Sequence, residues 1–235
     1  MTVDGRVALI TGATGALGSV VSRRFLEAGA RLVLCDLQTH KMEEMAREAG
    51  PKRCIGGRVD VTDAGQVQGL VGRAVEAFGR VDILLNIAGG FFGAGPVAEL
   101  AEEDLDKALA VNLKSVYVTC HAIAPLMVRQ NWGRIVNVGA RSGLAGRKGA
   151  AAHAVSKGGV ILFTDALAEE VRDHGVTVNV IIPGTLDTPA NRQAQPQADF
   201  SAWVPPEDIA ATMLFLCSPE AQSITGARIP VLNRT

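Results

Sequence analysis

His153 and Lys157 are the side chains whose types and spacing best suit acid–base chemistry. They are four positions apart in a segment of helical periodicity, so both should project from one face of a helix. An imidazole exchanges a proton near neutral pH, and a neighbouring lysine disfavours its charged form. A mainly neutral His153 is better suited to take a proton from an alcohol than to give one to a ketone. The alternative is that His153 only lines a pocket or caps a turn.

A glycine-rich turn near the N-terminus predicts a dinucleotide site. The segment Thr11–Gly18 reads Thr-Gly-Ala-Thr-Gly-Ala-Leu-Gly and lies between a strand candidate and a helix candidate. Glycines let the backbone approach a pyrophosphate, and a helix N-terminus offers unpaired N–H groups to it. Asp36 ends the second strand candidate, where a carboxylate accepts hydrogen bonds from ribose hydroxyls and repels a 2′-phosphate. NAD(H) is therefore favoured over NADP(H), although Lys41 and Arg58 are cations within possible reach of a phosphate.

Apolar runs rich in Val, Ile and Leu alternate with helical segments, which is typical of βαβ units around a parallel sheet buried on both faces. We predict one α/β domain over residues 1–235, with an irregular segment at about 184–204 serving as a short substrate lid. The predicted strands are Val7–Ile10, Arg31–Cys35, Arg53–Val59, Ile83–Asn86, Arg134–Val138, Thr177–Ile182 and Ala227–Val231. The predicted helices are Ala16–Ala28, His40–Glu48, Ala64–Phe78, Glu102–Arg129, His153–Asp173 and Pro206–Cys217.

Composition narrows the class of partner. The formal charge of −1 and the lack of a long basic run give no footprint for nucleic acid or an anionic membrane, so a small-molecule substrate is expected. The four cysteines are far apart and form no metal-binding or disulfide pattern. We predict free thiols, no metal site and a cytoplasmic protein.

The motifs together resemble those of the short-chain dehydrogenase/reductase family, from Val7 to about Pro230. The resemblance implies a single Rossmann-type doubly wound domain, whose seven-stranded parallel sheet has the order 3-2-1-4-5-6-7 with helices on both faces. It also implies a homo-oligomer, a tetramer or dimer built largely from helices 102–129 and 153–173 and the last strand. The implied cofactor contacts are Gly12, Thr14, Gly15, Leu17, Gly18, Asp36, Asp60, Val61, Asn86, Ala88, Gly89, Lys157, Pro183, Gly184 and Thr188.

The catalytic segment departs from the family's pattern. The family normally places a serine and a tyrosine where this chain has Ala140 and His153. Lys157 matches the lysine of the family's Tyr-x-x-x-Lys motif, and Asn112 matches a helix asparagine that carries a water relay. The resemblance therefore implies that Asn112 and Lys157 assist catalysis, with His153 in place of tyrosine.

Ser142 and Arg141 are candidates to replace the missing serine. If the loop is shifted, either side chain would face the carbonyl group of a substrate, and Arg141 would also favour an acidic substrate. The alternative is that Ser142 caps a loop and Arg141 is solvated.

Three functions remain in competition. The leading hypothesis is an NAD(H)-dependent oxidoreductase acting on a small alcohol or carbonyl compound. The second is a catalytically silent NAD-binding protein with a structural or sensing role. The third is a lyase or isomerase that uses His153 as a base.

Overall fold

Seven strands form one parallel sheet in the computed structural model, which describes residues 1–234. Their order is β3-β2-β1-β4-β5-β6-β7, and each neighbouring pair is parallel. The order reverses between β1 and β4, the place where open α/β sheets form a ligand-binding crevice. The predicted fold class and strand order are confirmed. The strands are β1 (Val7–Thr11), β2 (Arg31–Asp36), β3 (Cys54–Arg58), β4 (Ile83–Asn86), β5 (Gly133–Val138), β6 (Val176–Pro183) and β7 (Arg228–Val231).

Helices cover both faces of the sheet. They are α1 (Ala16–Glu27), α2 (His40–Ala49), α3 (Ala64–Phe78), α4 (Glu102–Leu109), α5 (Ser115–Gln130), α6 (Arg141–Leu144), α7 (Ala151–Val171), α8 (Pro189–Ala194) and α9 (Pro206–Cys217). Alternate side chains of a strand enter opposite apolar layers. In β1, Val7 and Leu9 pack with α3, α5 and α7, whereas Ala8 and Ile10 pack with α1, α2 and α9. Burial on both faces explains why the strands read as unbroken apolar runs.

Three segments differ from the sequence-based expectation. The predicted helix Glu102–Arg129 contains a π-helical turn at Ala110–Lys114, between α4 and α5. The predicted lid at 184–204 is not fully irregular, because Thr188 caps helix α8 by accepting a hydrogen bond from the Asn191 N–H. The segment after β5 forms the short helix α6 instead of a loop.

Asp82 ties the amino ends of two central strands together. This fully buried carboxylate accepts a hydrogen bond from the Val7 N–H at 2.9 Å. It also accepts hydrogen bonds from Arg6 at 3.4 Å and from Arg80 Nε at 2.7 Å. These bonds link β1 to the segment before β4. They lie at the amino ends of the strands, whereas the crevice opens at the carboxyl ends.

The stretch Glu102–Gln130 is long and apolar enough, by length and composition alone, to cross a membrane. Half of its apolar window is buried inside the fold, where Val116, Ile123 and Met127 belong to one core layer. Core helices of α/β proteins meet the same criterion, so this stretch is weak evidence for a membrane span.

The cysteines and potential metal ligands are also placed. Cys35, Cys54, Cys120 and Cys217 are free and buried. Within residues 1–234, no group of three or more His, Cys, Asp or Glu side chains is arranged to hold a metal ion.

Candidate dinucleotide and acid–base site

A cavity of about 1380 Å³ lies at the carboxyl ends of the strands. Most residues singled out from the sequence line it, so the fold brings them together from the segments that follow strands β1 to β6. The predicted residues in its lining are Gly12, Thr14, Gly15, Leu17, Gly18, Asp36, Asp60, Val61, Ala88, Gly89, Ser142, His153, Lys157, Pro183, Gly184 and Thr188. Asn86 and Asn112 are not among the lining residues.

Two glycines flanking the turn between β1 and α1 have no room for a side chain. A Cβ at Gly18 would lie 2.0 Å from the Gly12 carbonyl oxygen, and a Cβ at Gly12 would lie 2.9 Å from the Ala88 backbone. Helix α1 begins after Gly15, and no side chain caps its first N–H groups. Backbone donors and the positive end of the helix dipole therefore face the cavity, which suits a phosphate.

Asp36 stands at the rim of this cradle. Its Oδ2 accepts a hydrogen bond from the Thr14 N–H at 3.0 Å, and its Oδ1 accepts one from the Leu37 N–H at 2.7 Å. Oδ1 accepts a second hydrogen bond, from the Gln38 N–H at 3.4 Å, so the lone pair available for a ligand hydroxyl is on Oδ2. Lys41 Nζ lies 3.5 Å from the Thr14 carbonyl oxygen, so one cation stands against the same turn.

Asn86 lies beneath the cavity floor, and this corrects the expectation that it contacts the cofactor. Its side chain donates to Asn137 Oδ1 at 2.8 Å and accepts from the Thr119 hydroxyl at 2.7 Å. Asn137 in turn donates to the Thr164 hydroxyl at 2.9 Å. These bonds form a buried polar network that joins β4 and β5 to α5 and α7 under the site.

Asn112, in the π turn, is completely buried and holds the backbone at Gly90. Its Oδ1 accepts from the Gly90 N–H at 2.9 Å, and its Nδ2 donates to the Gly90 carbonyl oxygen at 3.0 Å. Nδ2 also donates to the Ser156 hydroxyl at 3.1 Å. Asn112 thus connects α7 to the segment after β4 and does not itself face the cavity.

His153 is half-buried on α7, one turn before Lys157. Its Nδ1 lies 3.2 Å from the Gly90 carbonyl oxygen, and its ring centroid lies 5.0 Å from that of Phe91. Burial lowers the pKa of His153, the positive charge of Lys157 lowers it further, and the bond to Gly90 opposes both effects. The ring is therefore mainly neutral at pH 7.

Lys157 is 5% exposed and reaches the end of β5. Its Nζ donates a hydrogen bond to the Val138 carbonyl oxygen at 2.8 Å. Burial lowers the pKa of Lys157 from 10.5 to about 8. The ammonium is thus mostly charged at pH 7 and loses its charge in mild alkali.

Ser142 does not offer its hydroxyl to the cavity. Its side-chain oxygen has no solvent contact and no hydrogen-bond partner in the described part of the chain. This corrects the expectations that Ser142 faces a substrate carbonyl or caps a loop. Ala140 and Arg141 both line the cavity, and Arg141 is exposed.

Two further cations, Arg147 and Lys148, line the cavity just before α7. Sequence reasoning did not select them, because a basic pair in a loop is ordinarily a solvated surface feature. The only available signal was their position between the two predicted elements that carry the site.

The cradle fits a dinucleotide: its glycines leave the backbone bare, its helix end is uncapped, and a carboxylate stands beside it. The sequence profile of the short chain dehydrogenase family matches residues 6–199. The 3-oxoacyl-[acyl-carrier-protein] reductase FabG of Thermotoga maritima is 33% identical, over 98% of each chain. The (2S)-[(R)-hydroxy(phenyl)methyl]succinyl-CoA dehydrogenase subunit BbsD of Thauera aromatica is 35% identical, over 96% of this chain and 94% of that one.

Solved structures agree with these sequence relatives. Levodione reductase superposes with a TM-score of 0.91 at 28% identity, over 98% of this chain and 97% of that chain. Xylitol dehydrogenase bound to NAD⁺ superposes with a TM-score of 0.88 at 26% identity, over 98% of each chain. With its profile match, its relatives and its strand order in agreement, the chain belongs to the short-chain dehydrogenase/reductase family.

Proposed function

We propose that this protein is an NAD(H)-dependent oxidoreductase that oxidises a small alcohol, with His153 as the proton acceptor. The observation that carries the proposal is the contact of 3.2 Å between His153 Nδ1 and the Gly90 carbonyl oxygen. A carbonyl oxygen only accepts hydrogen bonds, so Nδ1 carries the ring proton and Nε2 keeps a free lone pair. A neutral imidazole in this tautomer is a base.

The charge around His153 supports oxidation as the favoured direction. The lowered pKa of His153 keeps Nε2 unprotonated at pH 7, ready to accept the hydroxyl proton of an alcohol. The Lys157 ammonium, one turn along α7, stabilises the alkoxide character that develops on the substrate oxygen. An oxidised nicotinamide, when bound, supplies the acceptor for the hydride that leaves the carbinol carbon. The products at the substrate are a carbonyl group and one proton on Nε2.

Asn112 has a positioning role in this proposal. It fixes the Gly90 carbonyl oxygen through two hydrogen bonds, and that oxygen selects the tautomer of His153. The side chain therefore acts on the base through the backbone. This differs from the water relay that the family resemblance implies for an asparagine at this position.

The preference for NAD(H) over NADP(H) rests on Asp36. A carboxylate at the end of β2 accepts hydrogen bonds from a ribose diol and repels a 2′-phosphate. Lys41 contacts this turn, but it is not among the residues that line the cavity, whereas Asp36 is. We expect Asp36→Asn to narrow the difference between the dissociation constants of NADH and NADPH by about tenfold or more, since one opposing charge is removed.

The test combines binding with turnover. The binding of NADH and of NADPH is titrated by fluorescence. The reduction of NAD⁺ is followed by absorbance at about 340 nm with a panel of neutral and anionic secondary alcohols, between about pH 6 and 10. We expect NAD⁺ reduction by at least one alcohol, and a loss of roughly 100-fold or more in His153→Asn with unchanged NADH affinity. NADH binding without reduction by any alcohol would overturn the proposal.

A silent NAD-binding protein is the second candidate, and one observation favours it. The Ser142 hydroxyl is closed off from the cavity and Ala140 has no side-chain donor, so neither side chain stabilises a developing oxyanion. The double variant Ala140→Ser with His153→Tyr separates the two candidates. The wild type is the silent form if it binds NADH and turns over no substrate, while the double variant reduces a carbonyl compound.

We also propose a cytoplasmic homo-oligomer that assembles through the exposed side of α5 and α7. Tyr117, Val155 and Leu162 are more than half exposed there, and Leu113 and Phe163 line an apolar groove beside them. Exposed apolar patches of this kind mark protein interfaces. Light scattering after size exclusion is expected to show a dimer or tetramer that Leu162→Glu weakens; a monomeric wild-type protein refutes the assembly.

A further inference from the structure

The cavity lining contains three basic side chains on the segment that leads into the helix carrying His153. Arg141, Arg147 and Lys148 lie there, on the segment between β5 and α7. The cavity's two carboxylates lie elsewhere: Asp36 ends β2 and binds the glycine turn at Thr14, and Asp60 follows β3. Among the described lining residues, no acidic side chain accompanies the three cations.

The charge asymmetry extends along the sequence. The 58 residues between Asp106 and Asp165 contain no Asp or Glu, although the whole chain has a formal charge of −1. The same stretch contains eight basic residues, namely Lys107, Lys114, Arg129, Arg134, Arg141, Arg147, Lys148 and Lys157. A cleft lined by one sign of charge attracts ligands of the opposite sign. Four of the eight, Arg141, Arg147, Lys148 and Lys157, line the cavity, so its lining on this segment is positive although the whole chain is nearly neutral.

The three cations are free to bind a ligand. Within residues 1–234, none of the ion pairs or side-chain hydrogen bonds engages the side chain of Arg141, Arg147 or Lys148. The lid shows the contrasting case, because Arg192 is held by both carboxylate oxygens of Asp187, at 2.6 and 2.7 Å. The charge of Arg192 is thus compensated within the chain, whereas Arg141, Arg147 and Lys148 have no carboxylate partner among the described residues.

We propose that the alcohol substrate carries a second, anionic group, a carboxylate or a phosphate ester, which Arg141, Arg147 and Lys148 bind. The inference rests on the proposed function, since it places the reacting hydroxyl at His153. Arginine forks match the paired oxygens of a carboxylate or phosphate, and lysine adds a point charge. The anionic group orients the substrate, and the hydroxyl at its other end meets Nε2.

The test compares matched substrates and a charge-removed variant. Hydroxy acids such as 3-hydroxybutyrate are paired with their methyl esters, and glycerol 3-phosphate is paired with glycerol. We expect kcat/KM to favour the anionic member by about tenfold or more at low salt, and salt to reduce the preference. In the variant Arg141→Ala/Arg147→Ala/Lys148→Ala, the ratio of kcat/KM for the anionic member to that for the neutral member of each pair should fall by about tenfold or more. Lys52→Ala, which removes an exposed cation far along the chain, is the control.

A binding measurement decides the inference without turnover. Malonate and inorganic phosphate are titrated calorimetrically into the protein saturated with NADH. The anion with the lower dissociation constant identifies the anionic group, carboxylate or phosphate, that the site prefers. We expect binding that weakens about tenfold or more in the triple variant, with the dissociation constant of NADH unchanged. No binding of either anion, or equal binding by the variant, overturns the inference. A parallel loss of NADH affinity in the triple variant also overturns the inference, because the cations would then bind the cofactor. If the protein binds the anions but oxidises no alcohol, the result counts only against the proposed oxidation.

Discussion

Replacing Lys157 with methionine should remove a pH-dependent cost to folding. Burial lowers the pKa of Lys157 from 10.5 to about 8, so the folded protein releases this proton at a lower pH than the unfolded chain does. Between these two values the unfolded state binds more protons, and stability rises with pH. One pKa unit corresponds to about 1.4 kcal/mol, so the charged lysine costs the fold about 3 kcal/mol below pH 8, and roughly 2 to 3 kcal/mol of this is recovered between pH 7 and pH 10.

The assay is urea unfolding of the wild type and Lys157→Met at matched concentration, at several pH values from about 7 to 10. Other titrating groups are common to both proteins, so the difference between their free energies of unfolding isolates Lys157. We expect the wild type to gain about 2 to 3 kcal/mol relative to the variant across this range. Lys52→Met, at an exposed position, should show a flat difference within about 0.5 kcal/mol. A flat difference for Lys157→Met as well would refute the desolvation argument.

Three further substitutions test other parts of the structure. Gly18→Ala places a Cβ against the Gly12 carbonyl and should weaken NADH binding more than about tenfold, whereas Gly72→Ala, in open space on α3, should not; equal affinities contradict the cradle. Asp82→Ala should lower the free energy of unfolding by about 2 to 3 kcal/mol in urea, because the Val7 N–H and two arginines lose their partner; a loss below about 0.5 kcal/mol contradicts this. Asn112→Ala should lower kcat for alcohol oxidation by about tenfold or more and change the pH profile, with NADH affinity kept; an unaltered pH profile contradicts the positioning role.

The strands and the phosphate cradle could be predicted because their determinants are local. Val7, Leu9 and their neighbours are buried on both faces of the sheet, and that environment leaves a continuous apolar run. The glycine turn is equally local, since backbone approach at Gly12 and Gly18 demands the absence of a side chain. Sequence spacing also placed His153 and Lys157 on one helix face.

Side-chain direction at strand ends and helix irregularities could not be predicted in the same way. The side chain of Asn86 donates a hydrogen bond to Asn137, 51 positions away. Whether a side chain at the end of a strand faces the cavity or the layer beneath it depends on such a distant partner. The π turn around Asn112 interrupts an otherwise regular helical period. Asn112 binds Gly90, which is 22 positions away in the sequence. These contacts arise only when distant segments are packed, so a local pattern does not contain them.

The direction of the proposed chemistry follows from one backbone contact and two charges. Gly90 keeps a proton on Nδ1, so proton exchange with a substrate goes through Nε2 alone. Taking a proton there needs only the neutral ring, which the lowered pKa of His153 provides at pH 7. Giving a proton to a ketone needs the imidazolium, which burial and the Lys157 charge both disfavour. Reduction through His153 must therefore decline relative to oxidation as the pH rises through the pKa of this histidine, below 6.5.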